Sequence, residues 1–262
     1  MTALAQNGLE RIIVERYYIA DTTDEKASGG TLRAGSVTYR IFIDLLPGYK
    51  FQAAYGVPGH PMFFTTSTNF FNDEENGEIF GSEIPYAYLT KKALMLDSWV
   101  SSGANSTASY GVLKTDDPTE STQNYDGLLK NSNPQAGIPV KINDGLQAAA
   151  PVPGVSVFGI DSTDLVIFKK NKLKVSGQKF YSENGSWFCM GGSIALDTSN
   201  KILIAQLTTD GLFNFELNIQ IGTPQGEVEN YVARKPVDKE IEFPGLIFSS
   251  TSTGAVVIGY KR

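Results

Sequence analysis

Residues 213–221, FNFELNIQI, alternate without a break: Phe213, Phe215, Leu217, Ile219 and Ile221 fall on one side, Asn214, Glu216, Asn218 and Gln220 on the other. A period of two is the signature of a β-strand with one buried face, and a helix cannot use it. The same patterning recurs along the chain. Residues 11–20 (RIIVERYYIA) are β-branched and aromatic, and VTYRIFIDL over 37–45 sets Val37, Tyr39, Ile41, Ile43 and Leu45 against Thr38, Arg40, Phe42 and Asp44. Helical signals are nearly absent. Short strands punctuated by 26 glycines and 12 prolines predict an all-β fold, a β-sandwich of jelly-roll or Greek-key type, as a single domain over residues 1–262.

Two connections read as hairpins. Pro47-Gly48 supplies a turn, and a three-residue loop, Pro47 to Tyr49, pairs Leu45 with Phe51, Ile43 with Ala53 and Ile41 with Tyr55. A two-residue loop would set Asp44 opposite Phe51. Within residues 201–221 a three-residue loop, Thr209-Asp210-Gly211 with Gly211 left-handed, faces Leu207, Ala205 and Leu203 with Phe213, Phe215 and Leu217. The two-residue alternative buries Gln206 against Phe215, and an unpaired buried amide costs about 1–3 kcal/mol. The polar side, Asn214 to Gln220, is then solvent-facing or a partner surface. Residues 115–154, rich in Asp, Asn, Ser, Pro and Gly, form a long loop-rich excursion, packed on the sandwich or used in assembly. Residues 249–262 read as a C-terminal β arm.

Composition excludes several functions. The net charge is -6 with only 19% charged residues, which argues against nucleic acid, because binding phosphates requires clustered Lys and Arg. The basic run from Lys169 to Lys174 reads as a solvated turn between strands. One cysteine, Cys189, permits no internal disulfide and reads as a small buried thiol. No stretch has the apolar length of a membrane helix, so no membrane insertion is expected. The N-terminus lacks the basic and apolar regions of a Sec signal.

The chemistry-bearing residues are few. His60 is the sole histidine; no Gly-x-Ser-x-Gly elbow accompanies it, and it reads as a turn or surface residue. One His and one Cys do not make a zinc site. Glycoside hydrolysis needs only two carboxylates, and Asp97 and Glu183 are candidates, but nothing in the sequence sets two across one cleft. No catalytic residue and no organic cofactor is expected. Trp99 and Trp187 are the candidate sugar-stacking platforms, against the commoner role of tryptophan as core.

The remaining candidate is FFNDEENGEIFGSE. Asn72, Glu74, Asn76, Glu78 and Glu83 occupy positions 1, 3, 5, 7 and 12 of a calcium-loop spacing, with Gly77 at 6. Its flanks oppose an EF-hand, since residues 63–71 read as strand and Pro85 blocks an immediate helix. It is expected to be an acidic solvated turn, with calcium as the alternative.

Two stretches, residues 44–77 (DLLPGYKFQAAYGVPGHPMFFTTSTNFFNDEENG) and 203–233 (LIAQLTTDGLFNFELNIQIGTPQGEVENYVA), together with Asp97-Ser98-Trp99, resemble a β-rich module of large secreted surface proteins of Bacteroidota. The resemblance covers most of residues 9–245 and implies an extracellular, non-catalytic β module. This chain differs in showing no export signal and in ending soon after Pro244. The expectation is therefore a structural subunit of an extracellular assembly, a phage virion component such as a capsid-surface, fibre or tail protein, partnered by copies of itself or other virion proteins. The alternative is a cell-surface adhesion or carbohydrate-binding module.

Overall fold

The apolar runs become strands and the Gly-, Pro- and Asp-rich clusters become their turns. The computed structural model describes residues 7–91, 93–119, 123, 129, 133–137, 139–140, 142–168, 178–250 and 256–259. The first strands are β1 (Leu9–Ile19), β2 (Val37–Leu45), β3 (Lys50–Gly56) and β4 (Met62–Thr66), with the short helix α1 (Thr22–Ala27) after β1. Then come β5 (Trp99–Val100), β6 (Ala104–Ser106), β7 (Ser109–Gly111), β8 (Leu146–Ala148) and β9 (Ser156–Phe158). The last are β10 (Lys179–Ser182), β11 (Gly185–Ser193), β12 (Lys201–Thr209), β13 (Phe213–Glu216), β14 (Ile219–Gly222), β15 (Val228–Val232), β16 (Ile241–Glu242), β17 (Ile247–Ser249) and β18 (Val256–Gly259). The fold is all-β and sandwich-like, as the alternation predicts.

A five-stranded sheet, ordered β18-β1-β2-β12-β5, lies at the centre. One face packs on a four-stranded sheet, β10-β4-β13-β17, and a six-stranded sheet, β16-β15-β14-β3-β11-β9. Ile12, Ile41, Ile43 and Leu207 meet Phe51, Phe64, Trp187, Phe213 and Phe215 there in a first core. The aromatic rings of Phe64, Phe213, Phe215 and Phe248 lie 5.4–6.3 Å apart, in tilted, stacked and edge contacts that add to burial. The other face carries Ile13, Phe42, Leu203 and Trp99 into a second core with Leu94, Leu96, Leu129, Val140 and Leu146. The central excursion is therefore packed where it is described: Leu129, Val140 and Leu146 are buried. Burial on both faces explains the unbroken apolar runs Ile12-Ile13-Val14, Ile41-Phe42-Ile43 and Ile202-Leu203-Ile204-Ala205 within β1, β2 and β12.

Both predicted hairpins are corrected. β2 pairs with β1 and β12, whereas β3 pairs with β11 and β14. The tight turn at Pro47-Gly48 exists, with Tyr49 N–H bonded to Leu46 O at 3.1 Å and Gly48 at φ 86, but it carries the chain from one layer to the other. β12 and β13 are likewise split between layers. Ala205 and Leu207 do meet Phe213, Phe215 and Leu217, across the core and not along an edge. Leu203 goes to the second core because the β2–β12 register slips between Leu203 and Ala205, and a bulge of one residue reverses the facing. Gly211 does not take a left-handed φ. It is glycine for space: a Cβ would come within 2.5 Å of Thr68 Oγ1 and 2.7 Å of Thr68 N.

The polar row of β13–β14 is not a free face. Asn218 is 1% exposed and donates from Nδ2 to Tyr55 O at 3.0 Å and His60 O at 2.8 Å. Glu216 is buried and ion-paired to Arg234 at 2.5 Å. β18 pairs antiparallel with β1 from Val14–Val256 to Arg11–Gly259, the described part of the expected arm. The Lys169–Lys174 run lies outside the described residues.

The second core contains a buried polar layer. Arg40, 1% exposed, donates from Nε to Gln206 Oε1 at 2.8 Å and from Nη1 to Gly145 O at 3.0 Å, and its Cζ lies 3.5 Å from the Tyr17 ring centroid. Gly145 sits at φ 65, where a Cβ would come within 2.7 Å of Arg40 Nη1. Tyr17 Oη donates to Asp144 O at 2.6 Å. Lys114 Nζ donates to Tyr17 O and, at 3.0 Å, to Ala136 O, while its backbone N–H donates to Glu15 Oε1 at 2.8 Å. Burial pushes the Lys114 ammonium down to about 8 and the Glu15 carboxyl up. These bonds tie the excursion to β1 and β2 by direction as well as by contact.

Candidate functional site

The acidic loop after β4 is built around a residue outside the calcium spacing. Asp97 is fully buried, with Oδ1 accepting the Asp73 N–H at 2.7 Å and Oδ2 the Glu78 N–H at 3.1 Å. Asp73 in turn accepts the N–H groups of Glu75 (3.1 Å) and Asn76 (2.8 Å) through Oδ1, a side-chain turn of the kind Asp favours. Gly77 closes over this arrangement, and a Cβ there would come within 2.7 Å of Asp97 Oδ1. The five spaced residues are not gathered: Asn72 donates to Ile167 O at 2.5 Å, and Glu83 is exposed in a separate turn. No group of three or more His, Cys, Asp or Glu among the described residues is placed to hold a metal ion. The spacing reflects backbone neutralisation by Asp73 and Asp97, with Glu74, Asn76 and Glu78 on the half-buried outer surface.

The tryptophans are both core. Trp99 is 2% exposed in the second core, and Trp187 is wholly buried in the first, its Nε1 donating to Ser101 O at 3.2 Å. Neither offers a face to a sugar. Asp97 has both oxygens occupied inside the protein, while Glu183 is an exposed turn residue accepting from Tyr181 Oη at 2.9 Å. His60 lies in a turn, as expected, but is buried and not superficial: it is 7% exposed and its Nε2 is 3.1 Å from Glu240 Oε2. Cys189 is half-buried, not fully buried, because it falls where β11 bulges away from β3 between Phe188 and Ser193. Burial raises its thiol pKa.

Two surface features remain. The first is a shallow groove of about 290 Å³ on the outer face of the six-stranded sheet, lined by Gln52, Ser186, Phe188, Cys189, Met190 and Gln220 together with small residues and no charged side chain. Met190 is 83% exposed, and Phe158 on the adjoining edge strand β9, paired to Ser186, is 75% exposed. The second is a cleft of about 320 Å³ where the turn after α1, residues 68–74 and the β12–β13 turn meet. Arg33 and Asp210 reach across it, 3.3 Å apart. Sequence reading missed both, since each assembles residues from segments far apart in the chain. The one local signal was Met190-Gly191-Gly192, an apolar side chain beside two glycines that take positive φ.

The described residues form an all-β layered sandwich. No known protein family, curated protein or solved structure matches the chain. No helix among the described residues is long and apolar enough to cross a membrane.

Proposed function

We propose that the chain is a non-enzymatic structural subunit that self-associates within an extracellular assembly, in the setting of a phage virion whose host is a member of the Bacteroidota. The groove beside β9 carries this reading. Copies of a chain with net charge -6 repel one another except where they meet on uncharged surface, and the groove lining carries no charge while Phe158 and Met190 stand out beside it. Exposed apolar side chains next to an open strand edge are what a sheet leaves for a partner and otherwise conceals. The Bacteroidota-like stretches support the host and the extracellular setting.

The test is size-exclusion chromatography with light scattering. Oligomers are expected in the wild type and monomers in Phe158→Glu/Met190→Lys; a wild type that stays monomeric at high concentration overturns the reading. Cys189 is the only cysteine and lines the groove, so a short bis-maleimide should give covalent dimers that the double variant does not form. Mass spectrometry of purified virions tests the setting.

A further inference from the structure

The cleft beside Arg33 uses a different face from the groove, and it is built from hydrogen-bonding groups. Thr31, Thr68 and Asn69 supply hydroxyls and an amide to its walls, with main chain from Gly29 and Gly30, while the Asn72 amide is turned inward, its Nδ2 bonded to Ile167 O at 2.5 Å. Both glycines take positive φ, and nothing lies within 4 Å of where a Cβ would stand, so the backbone faces open space. The floor is fixed. Thr209 is 2% exposed and its hydroxyl is bonded to those of Thr66 (2.7 Å) and Thr68 (3.0 Å), while Phe71 N–H donates to Thr208 O at 2.8 Å.

The lining selects by exclusion. Arg33 is offset by Asp210 at 3.3 Å, and Glu74 adds a second carboxylate, so phosphate, sulfate and polyanions are repelled. The carboxylates are not clustered for a metal ion. An apolar ligand would remove the hydroxyls and amides from water without replacing their bonds, which is unfavourable. A neutral ligand rich in hydroxyls satisfies them. The volume of about 320 Å³ stands at the small end of ligand sites, roughly 300–1,000 Å³, room for one or two sugar rings. Phe70 and Phe71 are buried, so a ring would be held by its edge and not stacked on its face.

We infer that this cleft binds a neutral mono- or disaccharide, gripped by Asn69, Thr68 and the Arg33–Asp210 pair. Saturation-transfer NMR with glucose, galactose, mannose, N-acetylglucosamine, lactose and maltose as probes tests it. Transfer to at least one probe is expected, falling at least tenfold in affinity in Asn69→Trp, which fills the cleft from an exposed rim position. Thr31→Trp, on the opposite and equally exposed wall, should give the same loss if the first variant folds poorly. Inorganic phosphate should not compete. Absence of transfer from every probe, transfer undiminished in a folded rim variant, or displacement by phosphate would each overturn the assignment.

Discussion

Asp97 shows how one buried carboxylate can organise a loop that looks like something else in sequence. Its two oxygens accept the Asp73 and Glu78 N–H groups, and burial, the largest influence, still raises its pKa well above the ordinary value. Asp97→Ala leaves two donors, one buried and one part-buried, without acceptors and is expected to cost about 2–6 kcal/mol, at roughly 1–3 kcal/mol per orphaned group. Asp97→Asn keeps one acceptor and should cost about half as much. Urea denaturation measures both, and a cost below about 1 kcal/mol for the alanine variant would contradict the loop's dependence on Asp97. Lys114 gives the pH-dependent counterpart. The unfolded chain holds its proton up to about 10.5, the folded protein only to about 8. Between those values the unfolded state binds more protons, so stability rises with pH. Tyr17 and Cys189 act oppositely, their pKa values raised by burial from about 10 and 9, and both cancel in a comparison between pH 8 and 10 with a variant that lacks only the Lys114 ammonium. Wild type should gain up to roughly 2 kcal/mol across that range relative to Lys114→Met; parallel stability–pH curves would refute the assignment.

Among elements, the strands were legible and their partners were not. The alternation of Val37, Tyr39, Ile41, Ile43 and Leu45 correctly gives the face of β2 that enters the first core. It says nothing about whether Phe51 lies beside it or across from it, because an apolar face is satisfied equally by either. A short turn does not establish pairing: Pro47-Gly48 and Asp210-Gly211 both lead from one layer to the other. The second face of the central sheet could be read from Phe42 and Ile13, apolar where a one-sided strand would be polar, but what covers it includes Ile84, Leu89, Leu94, Leu96, Leu129, Val140 and Leu146, which follow no periodic pattern. The β12–β13 connection gives a test of the layered arrangement. Gly211 is packed against Thr68, with Thr66 also in contact, so Gly211→Ala must displace the threonine cluster and should cost about 1–3 kcal/mol, as overpacking does. In a hairpin loop open to solvent with a right-handed glycine, the same change would be neutral or stabilising. Thermal denaturation of Gly211→Ala beside Gly226→Ala, an open turn at φ 84, separates steric from conformational strain: only Gly211→Ala should be partly rescued by Thr68→Ala/Thr66→Ala, which remove the two hydroxyl oxygens that the added methyl meets.

At the scale of the whole molecule, the two cores share one sheet. Ile12 and Val14 of β1 enter the first core and Ile13 the second; Ile43 and Phe42 divide in the same way on β2. Neither core can be lost without exposing one face of β1, β2 and β12, and the Arg40–Gln206–Gly145 bonds join the excursion to that sheet from beneath. Trp187 Nε1 bonded to Ser101 O adds a link from the first core to the segment following β5. The two cores should therefore unfold as one cooperative unit. The two tryptophans provide the readout, since Trp187 reports the first core and Trp99 the second. In Trp99→Phe and in Trp187→Phe, the fluorescence midpoint in guanidinium should coincide with the far-ultraviolet dichroism midpoint of the same variant, whatever the overall loss of stability. An earlier fluorescence transition in Trp187→Phe alone, where Trp99 is the sole reporter, would mean that the excursion melts from a sandwich that survives without it. The central sheet would then have to tolerate Phe42, Ile13 and Leu203 in water, and with buried apolar side chains contributing about 1.5–3 kcal/mol each, that exposure is comparable to the whole stability of an ordinary domain, about 5–15 kcal/mol.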